Sequence, residues 1–337
     1  MKILGISHGK VRFNDLPKPQ IIYPDDILVK IQYALLPPDD LELYLGGNMI
    51  IPNPYTFGQA GSGIIEELGP AAYHKGLSEG GRVVWFYRAN CGMCYQCSTG
   101  RPLYCLNMTY CTTSFAEYMT WKEAYIYKIP DSLPLEQGVF FQDILDCLRV
   151  FHEAEIDADS SIAILGVNHK SLLIAWYAKL CGVRSVTVVS PNPGMLPYAK
   201  RFGADHVVRF GTDNLLMLST EINEASGGFH AVIDCGGSLP LLREAMDVLM
   251  YGGSLVIPHV YRPGSKISVN LSDFYFKEPR IKVLKQGALD VPKALDLMPR
   301  LGLERLTENL VPFENALSLF SPKFYENRLC GIAQLPG

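Results

Sequence analysis

The 337-residue chain lacks any apolar run approaching the ~20 residues that cross a bilayer, which excludes a membrane-spanning helix on sequence grounds. It also lacks a dominant charge. Thirty Lys and Arg stand against 34 Asp and Glu, a formal net charge of -4. No electrostatic argument therefore points to nucleic acid or to an anionic membrane surface as partner. The opening MKILGISHGKVRF has neither the long apolar core nor the small-residue cleavage site of a secretory leader; it reads as a first strand, and a cytoplasmic protein is expected. Internal repeats and low-complexity tracts are absent, so solenoids and disordered arrays are set aside. What remains is an ordinary globular balance, 48% hydrophobic and 19% charged, in a chain long enough for two cores.

Texture divides the chain. The first ~130 residues carry short β-type runs punctuated by Gly and Pro, such as IIYPDDILVKIQY, SGIIEELG and GRVVWFY, as in an irregular antiparallel lobe. Near Asp131-Ser132-Leu133-Pro134 a helical stretch begins, LEQGVFFQDILDCLRVFHEAEI. Strand and helix patterns then alternate: SIAILGV, SLLIAWYAKLCG, SVTVVS, MLPYAKRFGA, HVVRF, HAVIDCGG, LPLLREAMDVLMYGG and SLVIPHVY. Short apolar runs alternating with helices predict a parallel sheet covered on both faces. Gly182, Gly203 and Gly252-Gly253 fall where helix C-caps are expected.

Nine cysteines are present, an odd number. Cys91, Cys94, Cys97 and Cys105 form C-x2-C-x2-C-x7-C, in the stretch CGMCYQCSTGRPLYC. Without an export signal, such a cluster favours metal over disulfides. Four thiolates close a tetrahedral site with no open position, which is the donor set of a structural zinc. Cys111, Cys147, Cys181, Cys235 and Cys330 are scattered and are expected to be small buried residues.

These features, with ILVKIQYALLPPDDLELY, PYTFGQAGSGIIEELG, SFAEYMT and YAKRFGADHVV in the same order, resemble the zinc-type alcohol dehydrogenases of the medium-chain dehydrogenase/reductase superfamily over nearly the whole chain. The resemblance implies an α/β protein. An irregular β-rich GroES-like catalytic domain is expected over residues 1–133, carrying the zinc lobe at 91–105 and completed by 276–337. A Rossmann-type doubly wound parallel-sheet domain is expected over 134–275. The family's catalytic zinc ligands do not carry over. Aligned on Asp40, the ligand cysteine of the family is Pro37; the His-Glu pair becomes Gln59-Ala60; the third ligand becomes Gln142, followed by Asp143 in place of a proline. Proline offers no donor atom, and two neutral amides do not replace a thiolate and an imidazole. None of the seven histidines falls on a ligand position. A hard cation could draw on Asp39, Asp40, Asp143 or Asp146, though these read first as caps and solvated loop charges. One structural zinc per chain and no catalytic zinc are expected.

A dinucleotide fold wants G-x-G-x-x-G between its first strand and helix. Here the turn is Gly166-Val167-Asn168-His169-Lys170-Ser171. Gly166 is kept; Asn168 tolerates left-handed backbone but brings a side chain toward the phosphates; Ser171 is small enough for helix to approach sheet. Lys170 or His169 could assist an anion at the helix start. Ser190 ends the second strand where an NAD-preferring site keeps an acid, so NADP(H) is favoured over NAD. Gly237 resembles the family's strand end beside the nicotinamide. His259 reads first as an ordinary loop histidine, with a place facing the nicotinamide as the alternative.

Without the Lewis acid, simple alcohol oxidation loses its alkoxide stabilisation. The expected function is an NADP(H)-dependent reductase of an activated C=C, C=N or C=O group in a small molecule. The alternative is a non-catalytic descendant serving as a binding or scaffold protein, with Asn168 blocking the pyrophosphate seat. Asp39, Tyr44 and Tyr55 are candidate proton donors, and Gln59 and Gln142 would orient a polar substrate. The resemblance also suggests a homodimer through the outer strand of the second half.

Overall fold

The structure, a computed structural model, describes residues 1–7, 10–37, 41, 55–56, 58–262, 264–287, 290–326 and 328–337. The chain forms two compact units. One contains the described residues up to Gln142 together with Val291–Gly337; the other is Asp143–Asp290.

The first unit is built around the long strand Asp26–Leu36, nearly all of it buried. It pairs antiparallel with Ala60–Leu68 on one side and with Tyr118–Lys122 and Gly331–Gln334 on the other. A strand buried on both faces reads as a continuous apolar run, which ILVKIQYALL approaches. The register with Ala60–Leu68 slips between Leu28 and Val29 and between Ile31 and Tyr33, so the sheet bends there. The C-terminal strand Gly331–Gln334 also pairs parallel with Leu310–Pro312. Trp85, Phe115 and Ile27 lie in this unit's core.

The second unit holds six parallel strands. In chain order they are Ser161–Leu165, Ser185–Ser190, His206–Arg209, Phe229–Asp234, Leu249–Ile257 and Arg280–Val283. Across the sheet they lie 3-2-1-4-5-6, the doubly wound arrangement whose order reverses between strands 1 and 4. Strands 1 and 2 are buried throughout. Ala163, Leu165, Val189, Phe229 and Val232 pack against Leu241, Leu242 and Ala245 of the helix Leu239–Val248. No helix among the described residues is long and apolar enough to cross a membrane.

Three expectations change. Arg280–Val283 is still the sixth strand of the parallel sheet, so the chain returns to the first unit after Asp290 rather than from residue 276. Gly182 and Gly203 do follow helix ends with φ of +73° and +92°, but Gly252 lies inside the strand Leu249–Ile257 rather than at a helix end. Cys181 is exposed at the end of its helix, whereas Cys111, Cys147, Cys235 and Cys330 are buried as expected.

Candidate active site and metal centre

The cysteine lobe lies between the short paired strands Arg88–Ala89 and Thr109–Tyr110. One helical turn, Tyr95–Ser98, and a 3-10 turn, Pro102–Tyr104, fold the four cysteines together. Their sulfurs all lie within 4.8 Å of one another. Individual separations are 3.6 Å for Cys94–Cys97, 3.8 Å for Cys94–Cys105 and 3.5 Å for Cys105–Cys91. A disulfide needs about 2.05 Å. A tetrahedron with Zn–S of about 2.3 Å has edges of about 3.8 Å, so the cage has the size of a zinc site.

Donors around the sulfurs suit thiolates. The Cys94 amide donates to Cys91 Sγ at 3.4 Å, and the Cys91 amide to Cys105 Sγ at 3.3 Å. Backbone amides of Cys97 and Leu106 bring the Cys94 thiol down to about 6. Asn90 Nδ2 reaches Cys97 Sγ at 3.7 Å, and Tyr125 fixes that amide by donating to Asn90 Oδ1 at 2.8 Å. Such supporting hydrogen bonds orient ligands before metal arrives. Among the described residues this is the one group of three or more His, Cys, Asp or Glu side chains placed to hold a metal.

The other predicted residues of the first unit are Gln59 and Gln142. Gly58, just before Gln59, has φ of +95°, and a Cβ there would lie 2.7 Å from the Phe115 ring and 2.8 Å from Ser114 Cβ. Only glycine fits, which fixes the turn. Gln142 is the second residue of the helix Phe141–Ala154, which follows the 3-10 segment Leu135–Phe140, where the Leu135 carbonyl accepts from Ser62 Oγ at 2.5 Å. Gln142 is buried, and its Nε2 donates to the Gln59 main-chain oxygen at 2.5 Å. Its Oε1 is buried with no hydrogen-bond partner among the described residues. Pro37 is buried as well. Asp39, Asp40 and Tyr44, and the side chain of Tyr55, lie outside the described residues.

In the second unit the carboxyl ends of strands 1 and 4 meet. Gly166 has φ of +89°, and a Cβ there would sit 2.5 Å from Gly236 Cα, so the first glycine of the motif is required by backbone approach. Asn168 differs from its expected role. Its φ is -149°, extended rather than left-handed, and its side chain is engaged within the protein. Its Oδ1 accepts from the Ser171 amide at 3.0 Å, its Nδ2 donates to the Cys235 carbonyl at 2.7 Å, and its own amide donates to Ser171 Oγ at 2.8 Å. Asn168 and Ser171 thus form a reciprocal cap of the helix His169–Leu180.

His169 and Lys170 also depart from expectation. Both are buried. His169 Nε2 is 3.2 Å from Asp143 Oδ2, and Lys170 Nζ is 3.1 Å from Asp146 Oδ2 and 3.4 Å from the Pro258 carbonyl. Asp143 and Asp146 stand three apart on the helix Phe141–Ala154, and so share its face. They are neither caps nor solvated charges, and His169 and Lys170 each face one of them. The sequence signal was available: two acids at i and i+3 on one helix, two bases in sequence at the start of another.

Ser190 is buried at the end of strand 2, its Oγ accepting from the Asn192 amide at 3.1 Å. Across the sheet it pairs with Arg209, the last residue of strand 3, a neighbour that reading along the chain did not reveal. Gly237 carries the His259 imidazole against its backbone: a Cβ there would lie 2.2 Å from Nε2. Beside them is a group not anticipated from sequence. Asp234 is fully buried; its Oδ1 accepts from the Gly236 and Gly237 amides at 3.1 and 3.2 Å, and its Oδ2 from the Tyr261 hydroxyl. Burial raises the Asp234 carboxyl above its ordinary value, partly offset by these hydrogen bonds. His259 packs edge-on to Tyr261, with ring centroids 5.4 Å apart.

Comparison with known proteins adds the following. Residues 23–131 match the alcohol dehydrogenase GroES-like domain, and residues 171–300 match the zinc-binding dehydrogenase domain. The chain is 26% identical over 326 residues to D-xylulose reductase A of Aspergillus niger, covering 92% of this chain and 90% of that protein. Among solved structures it is similar to a Sinorhizobium meliloti 1021 protein bound to NADP, with TM-score 0.89, 24% identity and coverage of 99% and 98% of the two chains. It is also similar to 2R,3R-butanediol dehydrogenase of Bacillus subtilis, with TM-score 0.86, 21% identity and coverage of 100% and 99%. At such identities the structural likeness shows the fold.

Proposed function

The chain belongs to the zinc-type alcohol dehydrogenase family of medium-chain oxidoreductases, and from that premise we propose that it is an NADP(H)-dependent reductase whose only zinc is structural. The observation that carries this reading is the Gln142–Gln59 hydrogen bond. At the positions where the family sets metal ligands, this chain has a proline ring, and an amide committed through its nitrogen to a main-chain carbonyl. That is a poor donor set for zinc and a serviceable one for orienting a polar substrate, with Gln142 Oε1 left to accept a hydrogen bond.

Residues present fit a dinucleotide. Gly166 and Gly236 bring backbone to backbone where a pyrophosphate is received, and the Asn168 cap keeps its side chain on the Cys235 carbonyl, which removes the obstruction the scaffold reading required. Gly166, Asn168 and Ser171 would hold the turn; Ser190 would border the adenosine ribose; Gly237 would border the nicotinamide. Lys170 is assigned to its Asp146 pair. The chemistry the cofactor supplies when bound is hydride donation. An acceptor already polarised by its own electron sink needs no Lewis acid, only orientation and a proton. Asp39 and Tyr44 stay our candidates for that proton.

Cys91, Cys94, Cys97 and Cys105 would hold zinc and stabilise their lobe without chemistry. A reducing cytoplasm, which keeps such thiols free, is the compartment we assign. A small-molecule substrate and a homodimer complete the proposal. The edge strand Arg280–Val283 is exposed along its length, with Val283 70% exposed, and Leu271, Tyr275 and Phe276 beside it in sequence are exposed too. An uncovered strand edge with apolar neighbours is suited to a second copy. The test is titration with NADPH and NADH followed by tryptophan fluorescence, then turnover of NADPH with activated enones, imines and carbonyls. Saturable NADPH binding with turnover is expected; binding of neither nucleotide would sink the reading.

A further inference from the structure

We propose that Arg209 is the residue that reads the 2'-phosphate of NADP(H), and so sets the choice of nucleotide. The proposal rests on the nucleotide-binding reading above and names the group that would discriminate within it.

The geometry starts at Gly166. Its amide donates to the Val189 carbonyl at 2.7 Å, which ties the phosphate-side turn after strand 1 to the end of strand 2. The next residue along strand 2 is Ser190, where a doubly wound sheet receives the adenosine ribose. Its hydroxyl is engaged with Asn192, accepting from the amide at 3.1 Å and donating to the carbonyl at 3.3 Å. Asn192 Oδ1 in turn accepts from the Gly194 amide at 3.0 Å. The turn Ser190-Pro191-Asn192-Pro193-Gly194 contains no acid, so nothing in it repels a phosphate or binds a ribose diol as a carboxylate would.

The charge comes from the neighbouring strand. Ser190 and Arg209 are register partners in the parallel pairing, and the Phe210 amide donates to the Ser190 carbonyl at 3.0 Å. Adjacent strands lie about 4.8 Å apart, so Arg209 starts beside the ribose position with its long side chain exposed. Its guanidinium has no ion-pair partner among the described residues. The nearby acid, Asp213, is turned to the backbone: its Oδ2 accepts from the Arg209 amide at 2.6 Å. The other cations near strand 2 are committed elsewhere. Lys200 donates to the Asp205 carbonyl, and the Arg201 guanidinium lies 5.9 Å over the Tyr198 ring. A free guanidinium at the ligand edge of the sheet presents the fork geometry that matches a phosphate.

The experiment compares wild type, Arg209→Gln and Arg209→Lys by isothermal titration with NADPH, NADH, 2',5'-ADP and 5'-AMP, with a thermal melt of each variant as a folding control. Arg209→Gln is expected to weaken NADPH and 2',5'-ADP by about 10- to 100-fold and to leave NADH and 5'-AMP within about twofold. Arg209→Lys, a point charge without the fork, is expected to fall between. The proposal is overturned if wild type prefers NADPH and Arg209→Gln keeps that preference, or if wild type binds both nucleotides equally. If wild type binds no nucleotide, the functional reading itself fails and takes this proposal with it, an outcome distinct from both.

Discussion

Replacing Lys170 with methionine would remove one charge from a pair whose side chains are 7% and 5% exposed and 3.1 Å apart. Asp146 would then be a buried carboxylate without its ammonium, and breaking such a pair from one side costs about 3–5 kcal/mol. For a body of this size each kcal/mol moves the melting point by about 2–4 °C, so a fall of roughly 6–20 °C is expected in the second unit. Trp176 lies in the helix His169–Leu180 that carries Lys170, packed edge-on to Phe202 with ring centroids 5.9 Å apart, and reports that unit's unfolding by fluorescence. The companion variant Lys170→Met/Asp146→Leu removes both charges and should recover most of the loss, because a buried pair is worth little against a packed apolar substitute. A single variant within about 1 kcal/mol of wild type would refute the buried pair. So would unchanged stability with a salt-dependent loss of NADPH affinity, the signature of a phosphate contact.

Other outcomes follow from the same geometry. Cys97→Ser should lose most of its zinc and make the 91–105 lobe sensitive to limited proteolysis, read by metal analysis and cleavage mapping; retained zinc with an intact lobe would contradict the four-thiolate cage. Asp234 has its carboxyl raised by burial, so the charged form penalises the fold at neutral pH, and that penalty is relieved as pH falls through the raised value toward the unfolded 3.8. Wild type should therefore gain stability relative to Asp234→Asn as urea titrations move from pH 7 toward pH 4; a flat difference would show that Asp234 is not strained by burial. On the proposed homodimer, Val283→Asp on the exposed edge strand should shift sedimentation velocity toward monomer while leaving far-UV circular dichroism unchanged; an unchanged sedimentation profile would count against pairing through this edge.

The parallel sheet was legible because its strands are short apolar runs between helical periods, a pattern that burial on both faces imposes. The cysteine lobe was legible because zinc needs its ligands close, and C-x2-C turns supply that in local sequence. The Asp143–His169 and Asp146–Lys170 pairs were not, because each joins helices separated along the chain, and a charged residue is by default placed in solvent. Asn168 was misplaced for a related reason. Judged as a substitute for glycine, it suggested a left-handed backbone; in the fold it is an N-cap, a role asparagine fills through its side chain from an extended backbone. Arg209 is nineteen residues from Ser190 in sequence and becomes its neighbour only through the pairing of strands 2 and 3. Asp234 and Tyr261 meet only through the ends of strand 4 and the segment after strand 5. Apart from the local Asn168–Ser171 cap, these misses are contacts between elements distant in sequence.

The number of zinc ions this chain holds separates a structural site from a catalytic one. Elemental analysis of the purified protein by plasma mass spectrometry, after dialysis against a weak chelator, counts it directly. The cage of Cys91, Cys94, Cys97 and Cys105 predicts about one zinc per chain, retained in Gln142→Ala and lost in Cys97→Ser. A count of about two, falling to one in Gln142→Ala, would contradict it.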